Sequence, residues 1–221
     1  MSIQVKICGI TSADAADAAM RAGADFVGLN FHPHSPRSLK PEQATSLAVR
    51  MRGRCRLVAL LADAGDEEIA VAVAAAKPDF IQLHGRENPG RIASVRLRFG
   101  LPVIKAMALA DAGDLAEVAA FEKVADMLLF DAKAPANASR PGGHGAAFDW
   151  QLLRGRTFSR PWLLAGGITT ENVARAIRAA EAPGVDVSSG VETSPGIKSA
   201  DMIRDFVAAV RTAEFVKEAQ S

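Results

Sequence analysis

Residues 3–12, Ile3-Gln4-Val5-Lys6-Ile7-Cys8-Gly9-Ile10-Thr11-Ser12, hold a short β-rich run, a glycine turn and a pair of hydroxyl residues. The alanine-rich stretch Ala13–Ala22 follows, Gly23 closes it, and a second β-rich run starts at Asp25. Hydroxyls ahead of a helix and a glycine behind it are start and stop signals, so these residues read as strand, turn, helix, strand. The turn after the first run is Cys8-Gly9-Ile10-Thr11. It lacks the Gly-x-Gly-x-x-Gly spacing that opens a doubly wound dinucleotide-binding sheet, the main rival architecture.

The unit recurs along the chain. Further β-rich runs are Asp25–Phe31, Arg56–Ala62, Asp79–His84, Pro102–Met107, Asp126–Asp131, Pro161–Gly166 and Val185–Gly190. Most starts lie about 23 residues apart, near the minimum for a strand, a turn and a crossover helix. Eight such units with no linker between them predict a closed (β/α)8 TIM barrel, a single α/β domain over residues 1–221. An aromatic content of only 5% fits, because branched aliphatic side chains dominate the layers inside such barrels. Two gaps are longer, and place extra loop at His32–Lys40 and Ala132–Phe148.

Lys and Arg number 26 against 25 Asp and Glu, a formal charge of +1. That balance gives no general attraction to nucleic acid or an anionic membrane and points to a small-molecule ligand. Arg50, Arg52, Arg54 and Arg56 cluster, but they read as cations closing a helix rather than a basic patch. The two cysteines, Cys8 and Cys55, form neither a disulfide framework nor a metal-ligand spacing, which suits a reducing compartment. With no signal-like start and no long apolar run, a cytoplasmic protein is expected.

In a (β/α)8 barrel the chemistry sits at the C-terminal ends of the strands. Alternation puts Gln4, Lys6 and Cys8 on one face of the first strand and Val5 and Ile7 on the other. The apolar pair should face the helices. Cys8 then points into the barrel mouth with Lys6 one layer below, where a cation favours the thiolate form. Asp186, on the strand that closes against the first, is the expected partner of Lys6. Asp131 ends an otherwise apolar run, Met127-Leu128-Leu129-Phe130, and desolvation there would raise its pKa into the range of a general acid. Pro141-Gly142-Gly143-His144-Gly145 follows and is expected to act as a lid over the site. His84 closes the fourth run and, from the residues alone, competes with Cys8 for the role of base.

Two glycine turns stand in register on the last two units: Leu164-Ala165-Gly166-Gly167-Ile168-Thr169 and Val187-Ser188-Ser189-Gly190-Val191-Glu192. Loops after strands seven and eight are where these barrels often hold phosphate, with backbone N–H groups and a helix N-terminus as donors. A phosphorylated ligand is implied.

Taken in order, Lys6–Thr11, Gly23–Gly28, Ser35-Pro36-Arg37, Gln82–Gly85, Leu129–Asp131, Gly142–Gly145 with Phe148–Trp150, Ala165–Ile168 and Asp186–Glu192 resemble the phosphoribosylanthranilate isomerase family over essentially the whole chain. The resemblance implies an aldose–ketose isomerase of tryptophan biosynthesis. Its reaction is the Amadori rearrangement of N-(5-phosphoribosyl)anthranilate to 1-(2-carboxyphenylamino)-1-deoxyribulose 5-phosphate, with no cofactor and no metal. Cys8 matches the family's general base and Asp131 its general acid. Arg37 matches the partner of the anthranilate carboxylate, a group a guanidinium can meet with two hydrogen bonds. His84 matches a residue that orients substrate, and Gly166, Gly167, Ser189 and Gly190 match the phosphate cradle. A monomer or a homodimer is expected. The chain departs from the family in the lid, where His144 stands in place of the usual Ser or Thr. His32 and His34 read as solvated loop residues and Cys55 as structural. The enzymatic rival is a phosphosugar barrel that forms a Schiff base on Lys6 or Lys105.

Overall fold

The computed structural model describes residues 2–133 and 148–218. Eight parallel strands close into a barrel in chain order, β8 returning to pair with β1. β1 (Gln4–Cys8) leads into α1 (Ala13–Ala22), which Ser12 caps by accepting the Ala15 N–H and which Gly23 ends at φ 82°. The unit repeats as β2 (Phe26–Asn30) with α2 (Pro41–Met51), β3 (Arg56–Leu61) with α3 (Asp66–Ala76), and β4 (Phe80–Leu83) with α4 (Pro89–Phe99). Pro41 and Pro89 open their helices, where the N–H that proline lacks has no intrahelical partner to lose.

The second half is less regular. β5 (Val103–Leu109) is followed by a 3-10 turn and the short α5 (Val118–Glu122). After β6 (Met127–Ala132), the described residues before β7 (Trp162–Leu164) hold a 3-10 turn at Trp150–Leu153 instead of the expected helix. β7 leads to α6 (Val173–Ala180), and β8 (Gly184–Val187) to a 3-10 turn at Ser189–Val191. A two-stranded hairpin that the sequence did not announce comes next, β9 (Glu192–Ser194) against β10 (Ile197–Lys198), before α7 (Ala200–Glu218).

Strands seven and eight end earlier than their β-rich runs. Gly166 and Gly167 take φ values of 83° and 63°, which end an extended strand and suit glycine. Strand five instead runs past Met107 to Leu109, because β6 pairs with it up to Leu109↔Ala132.

At the strands' N-terminal end, one device is used three times. Asp25, Asp79 and Asp126 precede β2, β4 and β6, and their carboxylates accept the N–H of Val5, Leu57 and Val103 on the preceding strand. Each aspartate's own N–H returns a bond to the carbonyl of that same residue. A charged acceptor thus satisfies a strand-end donor that would otherwise be left bare.

Register decides what lies inside. Phe26, Val58, Ile104, Ala106, Met127, Leu129, Leu163 and Ala165 form one buried cluster within the barrel. Residues of the opposite parity, among them Val5, Ile7, Val27, Leu29, Ile81 and Leu83, belong to the larger cluster beneath the helices. Val5 and Ile7 therefore face outward as expected. Arg56 lies over the Phe26 ring at 3.7 Å, and Arg50 makes a two-point ion pair with Asp17 of α1. These two arginines of the cluster are thereby engaged within the fold.

Candidate active site

The rim at the C-terminal ends of the strands gathers the expected groups. Cys8 is 5% exposed at the end of β1. Opposite it Gly28 leaves the room: a Cβ there would stand 2.9 Å from the Cys8 sulfur. Below, Lys6 is fully buried and its Nζ donates to Asp186 Oδ1 at 2.8 Å, the pairing that barrel closure requires. Burial works against the Lys6 charge, but Asp186 and Cys8 outweigh it and hold the ammonium above its usual value.

The thiol itself behaves differently from the sequence expectation. Burial pushes Cys8 upward, Lys6 and Lys198 pull it down, and the Asp186 carboxylate opposes them, so the net direction is up. A lone lysine would favour thiolate; a lysine already shared with a carboxylate favours it less.

Asp131 closes β6 and is 8% exposed. Its Oδ1 accepts the Ala132 N–H at 2.8 Å, and its Oδ2 lies 3.2 Å from His84 Nε2. Gln82, fully buried on β4, meets the other ring nitrogen, Nε2 to Nδ1 at 3.1 Å. With the Gln82 amide donating, the imidazole carries its proton on Nε2 and presents it to Asp131. His84 is thus placed against the candidate acid, across the rim from the thiol.

The two glycine turns form one structure. A Cβ on Gly190 would run into the Ile168 carbonyl, so the turn after β8 is seated directly on the turn after β7. Gly166 in turn packs against Asp131 and Ala132, where a Cβ would stand 2.6 Å from the Ala132 nitrogen. Gly166, Gly167, Ser189 and Gly190 are all half-buried. The neighbouring Ser188 donates to the Cys8 carbonyl at 3.1 Å.

Arg37, in the loop between β2 and α2, is 4% exposed and lies over Gly9. Its Nε and Nη2 each donate at 2.7 Å to Glu192. A guanidinium has five N–H donors, so this engagement leaves the Nη1 side for another acceptor. Glu192 also accepts from Lys198 Nζ at 2.6 Å. The sequence reading assigned no role to Glu192, Lys198 or Gln82. Glu192 acts through a partner far along the chain and Lys198 stands on a two-residue strand, where neither periodicity nor motif spacing reports them. Gln82 lies only two residues from its partner His84, within reach of strand alternation.

The lysines of the Schiff-base rival are both occupied. Lys6 is paired as above, and Lys105 Nζ bonds Glu87 and the Gly85 carbonyl, each at 2.7 Å. Lys105 and Glu87 border a cavity of about 770 Å³ whose lining includes neither Cys8 nor Asp131. His32 is half-buried and stands edge-on to His34 at 5.6 Å, while His34 is exposed. Cys55 is a half-buried free thiol. Among the described residues no group of three His, Cys, Asp or Glu could hold a metal ion. The expected lid, Pro141–Gly145 with His144, lies outside the described residues.

Residues 5–209 match the family described as N-(5′-phosphoribosyl)anthranilate (PRA) isomerase. The N-(5′-phosphoribosyl)anthranilate isomerase of Bradyrhizobium sp. (strain ORS 278) is 50% identical over 214 residues, 97% of this chain and 98% of that protein. The solved phosphoribosyl anthranilate isomerase from Thermotoga maritima superposes with a TM-score of 0.85 at 34% identity, covering 95% of this chain and 99% of that one. Another solved isomerase, in complex with reduced 1-(o-carboxyphenylamino)-1-deoxyribulose 5-phosphate, gives a TM-score of 0.81 at 31% identity, with the same coverage.

Proposed function

The chain belongs to the N-(5′-phosphoribosyl)anthranilate isomerase family, and from that premise we propose that it performs the Amadori rearrangement of tryptophan biosynthesis with Cys8 as base and Asp131 as acid. One observation carries the residue assignment. Around the rim, the interlocked turns of β7 and β8 stand between Asp131 on β6 and Cys8 on β1. A sugar phosphate anchored at those turns would lie with the acid on one side and the base on the other.

The chemistry follows from that placement. The Asp131 carboxyl gives its proton to the furanose oxygen as the C1′–O bond breaks, and the aniline nitrogen lone pair forms the iminium. The Cys8 thiolate then removes the C2′ proton, and the C–H electrons become a C1′=C2′ bond as the nitrogen recovers its pair. The resulting enaminol gains a proton at C1′ and loses one from its 2′-oxygen, leaving the ketone. Each proton transfer needs only a positioned acid or base. The half-buried amides of Gly166, Gly167, Ser189 and Gly190 would receive the phosphate, Arg37 the anthranilate carboxylate, and His84 would hold Asp131. No helix of the described residues is long and apolar enough to cross a membrane, and we place the enzyme in the cytoplasm with its small-molecule substrate.

The test is the loss of phosphoribosylanthranilate fluorescence on adding the purified protein. A decay that Cys8→Ala and Asp131→Asn both abolish supports the assignment. A flat trace from folded protein overturns it, and substrate trapped on the chain by borohydride would favour a Schiff-base barrel instead.

A further inference from the structure

We propose that the β9–β10 hairpin is a specificity element: through Glu192 and Lys198 it sets both the direction and the net charge of the Arg37 guanidinium that meets the substrate's aromatic carboxylate. This rests on the function proposed above and adds to it two residues and a charge rule.

Two independent contacts brace the Arg37 loop against the hairpin. Glu192 grips the guanidinium through both carboxylate oxygens at 2.7 Å. Separately, the hairpin turn at Gly196 is pressed so closely on the loop that a Cβ there would stand 2.5 Å from the Pro36 carbonyl oxygen. Thr11, just past Gly9, donates to the Gly196 carbonyl at 2.9 Å and ties the same turn to the end of β1.

The charges explain why a second cation is present. Side-chain exposure is 5% for Arg37, 4% for Glu192 and 0% for Lys198. Lys198 also donates to the Ser188 carbonyl at 2.9 Å and its hydroxyl at 3.3 Å. Burying unbalanced charge is costly. Arg37 and Glu192 alone would be neutral and would offer an incoming carboxylate no net attraction. Lys198 restores one positive charge, which the ligand's carboxylate would balance. Glu192 meanwhile occupies the Nε–Nη2 edge, so only the Nη1 side of the fork is offered.

Four variants of the full chain test this by their inhibition constants for anthranilate and for inorganic phosphate, together with KM and kcat. Lys198→Met leaves a neutral cluster and should weaken anthranilate by about tenfold while phosphate inhibition stays as in the parent. Glu192→Gln releases the guanidinium and should weaken anthranilate by a similar factor despite the added positive charge. The combined Glu192→Gln/Lys198→Met protein regains one net charge and should bind anthranilate better than Lys198→Met alone. Damage to packing alone would make it the weakest of the three, and that result overturns the proposal, as does weakening of phosphate in equal measure. Should the charge changes prevent folding, Glu192→Asp and Lys198→Arg keep the charges but move them; an unchanged KM in both overturns it equally. The fourth, Arg37→Ala, separates the two levels. If it leaves anthranilate binding intact, the reading of Arg37 fails; if it weakens binding and the hairpin variants do not, only the hairpin inference fails.

Discussion

His84 Nε2 stands 3.2 Å from Asp131 Oδ2, joining the end of β4 to the end of β6. On the function proposed above, Asp131 is the group that supplies the furanose oxygen with a proton. With the Gln82 amide donating to Nδ1, the imidazole N–H on Nε2 points at the Asp131 carboxyl.

Asp131→Asn cannot deliver that proton and should lower kcat by roughly 10²–10⁴-fold, the usual scale of acid–base catalysis. Binding of a reduced product analogue should stay near the parent value. His84→Gln should cost less, about tenfold, and should add little further loss when combined with Asp131→Asn. Losses that multiply in the double variant would show that His84 does not act through Asp131.

Because burial pushes the Cys8 thiol up, the thiolate fraction grows as pH rises, and kcat/KM should climb toward alkaline pH. Cys8→Ala should remove that limb together with about 10²–10⁴-fold in turnover. A variant that keeps most of its activity disproves the base assignment.

Asp186→Asn removes the carboxylate that competes with the thiolate for Lys6. Cys8 alkylation should then set in at lower pH than in the parent. Breaking one side of a buried ion pair should also cost about 3–5 kcal/mol in urea unfolding. Alkylation at unchanged pH would mean that Asp186 does not govern the thiol.

Gly9 has φ 77°, and a Cβ there would stand 2.5 Å from Arg37 Cδ. Gly9→Ala should cost about 1 kcal/mol or more in stability and, by displacing Arg37, raise KM more than it lowers kcat. Equal effects on both would point to general disruption of the turn.

Cys55 offers a stability test away from the site. Burial, helped by Asp79, pushes its thiol up to about 11 from an ordinary 9.0. Below about pH 9 folded and unfolded chains both keep this proton. Between 9 and 11 the unfolded chain loses it first, so the stability this group contributes declines across that window. Cys55→Ala should make denaturant midpoints fall less steeply over that range; an unchanged slope would contradict it.

What the sequence revealed was periodic or local. The barrel was legible from repeated strand and helix signals, and α1 from its own caps. Even the Lys6–Asp186 pair was legible, because closing eight strands sets β8 beside β1 and alternation points both side chains inward. The strand ends shifted where glycines turned the backbone or a neighbour extended the pairing. The hairpin stayed hidden because strands of three and two residues carry no period. Glu192 could be quoted within a motif, yet its grip on Arg37 joins residues from opposite ends of the chain and leaves no local mark. The raised Cys8 thiol was missed for a related reason: Lys6 was anticipated, but not how far burial and Asp186 together would offset it.

The seating of Gly190 on the Ile168 carbonyl limits how this scaffold can be altered. The floor of one turn is the roof of the other, so neither can be widened, lengthened or given a side chain by itself. On the function proposed above, redirecting the barrel toward a substrate without a phosphate would mean redrawing both turns in one step. Because Gly166 also backs Asp131, such a change would reach that carboxyl as well. On the same proposal, drift of substrate preference through single substitutions is easier on the Arg37 side of the mouth, where the contacts would be made by side chains.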